Sequence, residues 1–391
     1  MQAKKKRWRT LLFRGRKETA GAGVDGVLLA LVLCLLVLGA AVSLSASSVY
    51  AQQFYGDSTY FFKRYILFAV LAVGMTVPMV LFAKPAFFRV LAVGLYAFSV
   101  LLLILVLLIG TVGGGAQRWL VLGPVTLQPS EVAKLGLLLM LALVMSRHEK
   151  EIVSQKRRGG SFRYGVLLPG GLIALIGVLV AAEKHISGLL IIGMLGVAMM
   201  FLGGTRLRYL AVMAVAVAAA GCLLILVSSY AQVRVDTWLH IEQVDPLGSA
   251  WQTLQGLYAI GSGGLFGLGF GNGRQKHGYV SQPQNDFVFT VICEELGFVG
   301  ALFVLLLFAA VVVRGFRIAA HAPDKFCALA VFGISLKLAL QTLLNIAVVT
   351  NSMPNTGVSL PFFSSGGTFL AMQIFEMGIV LTVSRYGTQK G

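Results

Sequence analysis

The chain has 391 residues, 57% of them hydrophobic and only 12% charged, with a mean hydropathy of +0.85. A soluble domain carries about 25% charged residues, so this composition excludes a soluble globular protein and points to a polytopic protein of the cell membrane. The formal net charge is +17, but the basic residues sit in short blocks between apolar runs, which fits inner loops facing anionic lipid and no nucleic acid partner.

Residues 1–25 form a basic cytoplasmic tail with Lys4, Lys5, Lys6, Arg7, Arg9, Arg14, Arg16 and Lys17. Apolar segments follow at 26–48, 65–83, 88–110, 131–147, 164–182, 186–203, 208–229, 286–313, 325–349 and 367–384. Each is close to the ~20 residues that a spanning helix needs. The first is long and is followed by further spans, so it reads as a retained helix and not a cleaved signal. With the N-terminus inside, the inner loops and both tails hold most of the 32 Lys and Arg, which predicts an N-in, C-in topology. The expected fold is therefore all-α, with about ten transmembrane helices over 26–384 and a short cytoplasmic tail at 385–391. The large loop 230–285, between the seventh and eighth helices, and the re-entrant loop 350–367 then lie outside. Cys34, Cys222, Cys293 and Cys327 lie in or beside apolar runs without metal-ligand spacing and read as small buried hydrophobes.

The predicted outer face holds the unusual chemistry. Gln128-Pro129-Ser130-Glu131 looks like a helix start, with Ser130 as cap and Glu131 in the first turn. Capping does not explain Lys134, which lies on the same face as Glu131 and fits an ion pair at a helix end. Arg118-Trp119 reads as an interfacial anchor. Glu183-Lys184-His185 crowds three ionisable residues into one turn, either as an ordinary polar turn or facing a cavity. Residues 350–368 are polar and uncharged, and Ser365 and Gly366 offer a hydroxyl and free backbone N–H groups where the last helix begins. That arrangement suits either an anion or an ordinary capped loop.

The stretch 251–300 organises the rest. It opens amphipathic, turns glycine-rich, gathers Arg274, Lys276 and His277, and reaches Asp286 at the threshold of an apolar run. A carboxylate at the mouth of a membrane helix is costly without a use.

Taken in order, these residues resemble the SEDS family (FtsW, RodA and SpoVE). The resemblance rests on Ser43-Leu44-Ser45-Ala46-Ser47, Arg118-Trp119, Gln128-Pro129-Ser130-Glu131 with Lys134, Trp251-Gln252, and Ala259 to Gly264. It continues through Gln275-Lys276, Asp286-Phe287-Val288-Phe289, Glu294-Glu295-Leu296-Gly297, Leu360-Pro361-Phe362 and Ser365-Gly366-Gly367. It implies a peptidoglycan glycosyltransferase that polymerises lipid II at the outer membrane face for cell division or elongation, releases undecaprenyl diphosphate, and works with a class B penicillin-binding protein and other division or elongation proteins. The family's essential aspartate falls on Asp286, which is then the general base. The departing diphosphate needs cations; Lys276 and Arg274 are the first candidates, Arg118 and Lys134 the next, with Glu131, Gln128, Ser365 and Gly366 as further binding residues. A divalent cation, Mg2+ or Mn2+, is the alternative charge carrier. Two motifs depart from the family pattern. Many relatives have Tyr-Leu-Pro-Glu where this chain has Tyr279-Val280-Ser281-Gln282, and Gln-Pro-Asp-Leu-Gly-Thr where it has Glu183-Lys184-His185-Ile186-Ser187-Gly188. The second variant leans towards FtsW. The rival functions are a lipid II flippase and a non-catalytic scaffold for the transpeptidase.

Overall fold

The computed structural model describes residues 23–387 apart from 114–115, 124, 154–160, 244, 246 and 282. Most of the basic tail, the Lys156-Arg157-Arg158 cluster, Gln282 and Lys390 lie outside the described residues. Besides the five-residue turn Glu149–Val153, the helices are α1 (Gly26–Tyr55), α2 (Tyr60–Phe82), α3 (Pro85–Ile109), α4 (Pro129–Arg147), α5 (Arg163–Ala182), α6 (Ile186–Leu202), α7 (Leu207–Val227), α8 (Ser229–Leu239), α9 (Trp251–Ser262), α10 (Val288–Ala320), α11 (Lys325–Val349) and α12 (Gly367–Ser384). Among the described residues nine are long and apolar enough to cross a membrane, and the 17-residue α6 is a shorter apolar tenth.

Local chemistry sets several helix ends. Asp25 caps α1 by accepting from the Leu28 N–H at 2.8 Å, and Asp324 caps α11 by accepting from the Cys327 N–H at 2.8 Å. Pro85 and Pro129 occupy first-turn positions, where a missing N–H costs nothing. Helices α4, α11 and α12 are buried along most of their length, whereas α7 is exposed nearly all round. In an apolar chain such exposure marks the lipid-facing side. Helix α2 packs along α12, α3 along α4, and α10 along both α11 and α1. At one end, the Asp25 N–H donates to Ser384 Oγ at 3.1 Å, and Arg314 pairs with the Asp25 carboxylate at 2.8 Å. The head of α1 and the foot of α12 therefore meet on one face of the bundle.

The helices run past the apolar segments on which they are centred. Helix α1 continues to Tyr55 and α10 to Ala320, because polar residues at the interface extend a helix without adding hydropathy. Residues 111–127, expected as loop, form a small antiparallel meander of β1 (Thr111–Gly113), β2 (Ala116–Leu122) and β3 (Val125–Leu127). Strands this short, separated by glycines, leave almost no alternation to read. The spans remain all helical.

Candidate active site

Asp286 lies two residues before α10, clamped from behind. Asn345, fully buried on α11, donates from Nδ2 to the Asp286 carbonyl at 2.7 Å and to the Val358 carbonyl at 2.6 Å. The Ser365 N–H donates to the Gln284 carbonyl at 3.0 Å, and its hydroxyl reaches the Gln284 carbonyl and Asn285 Oδ1, each at 3.1 Å. The loop before α12 thus holds the segment that carries Asp286. Gly357 closes in from the same loop with φ at +68, and a Cβ there would stand 3.1 Å from Asp286 Oδ2. A side chain at 357 would both strain the backbone and crowd the carboxylate.

Asp286 opens into a cavity of about 410 Å3. Arg118 and Trp119 enter from β2, Gln128, Glu131 and Lys134 from the start of α4, His185 and Ser187 from the turn into α6, Arg234 from α8, Gln341 from α11, and Ser364 and Gly366 from the last loop. Six separate stretches of sequence meet at one carboxylate. Burial pushes the Asp286 carboxyl above its ordinary value, while its own backbone N–H and the Arg234 and Arg118 cations hold it down. No ion pair ties its carboxylate among the described residues. A half-buried carboxylate with a raised affinity for protons and no fixed partner suits a proton acceptor.

The walls carry polar atoms that no protein group satisfies. Arg118 spends one Nη2 bond on the Lys184 carbonyl at 3.1 Å, while its Nε has no partner among the described residues. His185 Nδ1, Ser187 Oγ, Thr356 Oγ1 and Glu131 Oε2 are likewise buried without a hydrogen bond. Gln128 Nε2 stands 3.5 Å from His185 Nε2. Burial, reinforced by the Arg118 and Lys134 cations, pushes His185 down to about 3, so its ring is neutral at physiological pH. Behind it, Glu183 is buried and neither carboxyl oxygen has a hydrogen-bond partner among the described residues; burial, opposed by Arg118, pushes it up to about 8. Buried polar groups are rarely left unpaired, and a cluster of them around one space marks a ligand site.

Beneath the cavity runs a neutral quartet of two lysines and two glutamates. Lys134 pairs with Glu131 at 2.5 Å, Lys337 lies 3.9 Å from Glu131, and Lys337 also pairs with Glu376. Lys337 is fully buried, and the glutamates beside it compensate its charge. Among the described residues the ammonium of Lys134 has one protein acceptor, which leaves donors for the cavity.

The glycine-rich strap is built differently, and it corrects two expectations. Lys276 lies outside the cavity; its ammonium donates to Ser45 Oγ at 2.9 Å, the Gly271 carbonyl at 2.7 Å and Glu295 Oε1 at 2.7 Å. Three donors meet three acceptors and none is left for a diphosphate. Arg274 is exposed and also absent from the cavity lining; its backbone N–H donates to Glu294 Oε1 at 2.8 Å. Backbone N–H groups of Gly271, Gly273 and Gln275 serve the same two carboxylates. Inside α10, Gly297 has φ 67 and ψ −168, and a Cβ there would run into the Gly267 nitrogen. The glycines let the strap lie directly on the helix backbone. Ser365 is similarly a clamp on 284–285, whereas Gly366 lines the cavity.

Sequence reasoning passed over Arg234, Ser187, Asn345 and Gln341. For His185 the signal was present, three ionisable residues in one turn, but nothing local told a solvated turn from a cavity wall. The donor set does not make a resident metal site. Glu131 is already paired with two lysines, Asp286 is the remaining carboxylate of the cavity, and no group of three His, Cys, Asp or Glu comes together among the described residues.

A family model described as a cell cycle protein, FtsW/RodA/SpoVE, matches residues 26–389. Stage V sporulation protein E of Bacillus subtilis is 35% identical over 93% of this chain and 97% of its own length. A probable peptidoglycan glycosyltransferase FtsW of Trichlorobacter lovleyi is 36% identical over 94% of this chain and 95% of its own. Sporulation and division relatives thus match about equally. Among solved structures, a chain from work on the coordination of polymerization and crosslinking by a peptidoglycan synthase complex superposes with a TM-score of 0.74 at 30% identity, covering 93% of this chain and 98% of that one. The rod shape determining protein RodA of Thermus thermophilus gives a TM-score of 0.69 at 28% identity, covering 95% and 100%.

Proposed function

This chain belongs to the FtsW, RodA and SpoVE family, and from that premise we propose that Asp286 is the general base with which it polymerises lipid II. It is a multi-pass membrane peptidoglycan glycosyltransferase. A sugar hydroxyl is a poor nucleophile at neutral pH and needs a positioned base. Asp286 accepts the proton of the acceptor's 4-hydroxyl as that oxygen bonds to the donor's anomeric carbon. The bond from that carbon to the diphosphate breaks in the same displacement, and the electron pair leaves with the diphosphate. One displacement inverts the anomeric centre and needs no carboxylate nucleophile.

The leaving undecaprenyl diphosphate gathers negative charge, and Arg118, Lys134 and Arg234 line the cavity into which it departs. Neutral His185 and Ser187 add hydrogen bonds without adding charge. Glu131 holds Lys134 at the helix start, and the quartet beneath fixes Glu131. A divalent cation in this cavity would rest on Asp286 and the substrate's own phosphates; no step here runs through one. The crosslinking partner we expect is a class B penicillin-binding protein, since a similar chain comes from a peptidoglycan synthase complex that couples polymerization to crosslinking.

The single observation that carries this reading is the Asp286 carboxylate, free of any ion pair among the described residues, in a cavity that three cations line. Purified protein with its transpeptidase should turn labelled lipid II into a glycan ladder. Asp286→Asn, folded and still bound to its partner, should lose about 10²- to 10⁴-fold in rate, the usual worth of a general base. A ladder unchanged in that variant would place the base elsewhere. A wild-type protein that moves labelled lipid II across vesicles but makes no ladder would favour the transporter reading.

A further inference from the structure

A second cavity, of about 490 Å3, opens beside the first. That volume lies within the roughly 300–1,000 Å3 of small-molecule sites. It forms where α8, the start of α9 and the turn after α11 meet. Arg234 lines both cavities, and its charge is felt by Asp286. The two chambers are therefore neighbours with one side chain in common.

Their chemistry differs. The Asp286 cavity gathers three Arg or Lys cations, whereas Arg234 is the single charged residue lining the second, with no carboxylate. The rest of its wall is one indole, the amides of Gln252, Asn351 and Asn355, hydroxyls and one valine. The wall is also set in advance. Trp238 Nε1 donates to the Asn351 carbonyl at 3.0 Å, which pins the indole against the turn after α11. Gln252 Nε2 donates to the Ser281 carbonyl at 3.0 Å, while its Oε1 accepts from Asn355 Nδ2 at 3.4 Å. Groups fixed before binding lose less freedom when a ligand arrives.

A pinned aromatic face among amides and hydroxyls suits a neutral ligand with one apolar face and a hydrogen-bonding rim. A pyranose ring has that build; a diphosphate, which seeks several cations, does not. Glycosyl transfer must also hold two sugar substrates at once, one over Asp286 and the other within reach of it. Resting on the glycosyltransferase reading above, we propose that this second cavity binds uncharged N-acetylated sugar units of the glycan. The shared chemistry has two sources, the growing strand and the lipid-linked acceptor.

The probe is an N-acetylglucosamine tetramer, titrated calorimetrically into the full chain. Trp238→Ala should weaken its binding about tenfold, and Trp238→Phe, which keeps a ring, should lose far less. Asn351→Gly removes an amide at a position whose backbone is already left-handed, with φ 54, and should weaken binding as well; it decides the matter if Trp238→Ala does not fold. In lipid II assays, a shortened ladder at unchanged lipid II KM assigns the cavity to the growing strand. A raised lipid II KM with normal lengths assigns it to the acceptor. Asp286→Asn should bind the tetramer while its polymerisation falls about 10²- to 10⁴-fold, so failure of the base assignment and failure of the sugar cavity are read separately. No tetramer binding to the wild type overturns the proposal. So do folded variants with wild-type binding, KM and ladder, and so does a change confined to the transpeptidase concentration needed for stimulation.

Discussion

Two clusters of charged side chains stand in this fold, and they differ in what is left over. In the glycine strap, Lys276, Ser45, Glu294 and Glu295 are saturated by one another and by backbone N–H groups. In the outer cavity, Arg118 Nε, His185 Nδ1, Ser187 Oγ and Glu131 Oε2 are buried without a hydrogen bond, and the Asp286 carboxylate has no ion partner, among the described residues. The same residue types thus serve opposite ends. A charge whose hydrogen bonds are complete holds the chain in place, and a charge whose hydrogen bonds are open is available to a substrate. Residue type and family resemblance alone put Lys276 first among the diphosphate ligands; counting its acceptors moves it into the scaffold.

The largest effect that distinguishes the clusters is on stability. Lys276→Met leaves the buried Glu295 carboxylate without its cation, which costs about 3–5 kcal/mol. The melting temperature of the detergent-solubilised protein should fall accordingly, and adding Glu295→Gln should restore much of it. A stable Lys276→Met protein with only a raised lipid II KM would erase the distinction. Next, Arg118→Ala should raise the lipid II KM about 10- to 100-fold, the worth of a hydrogen bond to a charged group, with little change in melting, because its Nε bond is not made within the protein. Ser187→Ala should be milder still, about twofold to fivefold in KM, the worth of one neutral hydrogen bond; equal loss of stability would mean that the hydroxyl is structural.

The remaining effect concerns pH. Glu183 has its folded carboxyl raised to about 8 from an ordinary 4.5, so the folded state holds a proton that the unfolded state has released across that interval. Wild-type stability should therefore fall as pH rises from 4.5 towards 8. Glu183→Gln, which cannot lose a proton, should flatten that fall in melts taken across the range. An identical slope in both proteins would show that Glu183 is solvated.

Much of this was legible in the chain. Hydropathy runs place the ten spans because lipid imposes length and composition directly. The carboxylate at the mouth of α10 is visible as a rule broken at a helix start. What stayed hidden is who satisfies whom. Asn345 on α11 holds Asp286 from 59 residues away, and Ser365 holds Gln284 from 81; no local pattern records such pairs. Arg118 looked like a membrane anchor because an Arg-Trp pair does the same in sequence whether it faces headgroups or a cavity. The β meander that aims it is too short to show periodicity. Arg234 sat in a polar amphipathic stretch where one cation carries no signal, until α8 turns it towards Asp286.

The base assignment meets its most direct test in the pH dependence of kcat/KM for lipid II polymerisation, measured for the wild type and for Arg234→Gln. Asp286 is raised by burial and held down by Arg234 and Arg118. The rate should therefore fall on the acid side through a group above the ordinary aspartate value of 3.8, and removing the Arg234 charge should move that fall to higher pH. An acid limb that stays where it is in the variant, or that persists in Asp286→Asn, would contradict the assignment of Asp286 as the base.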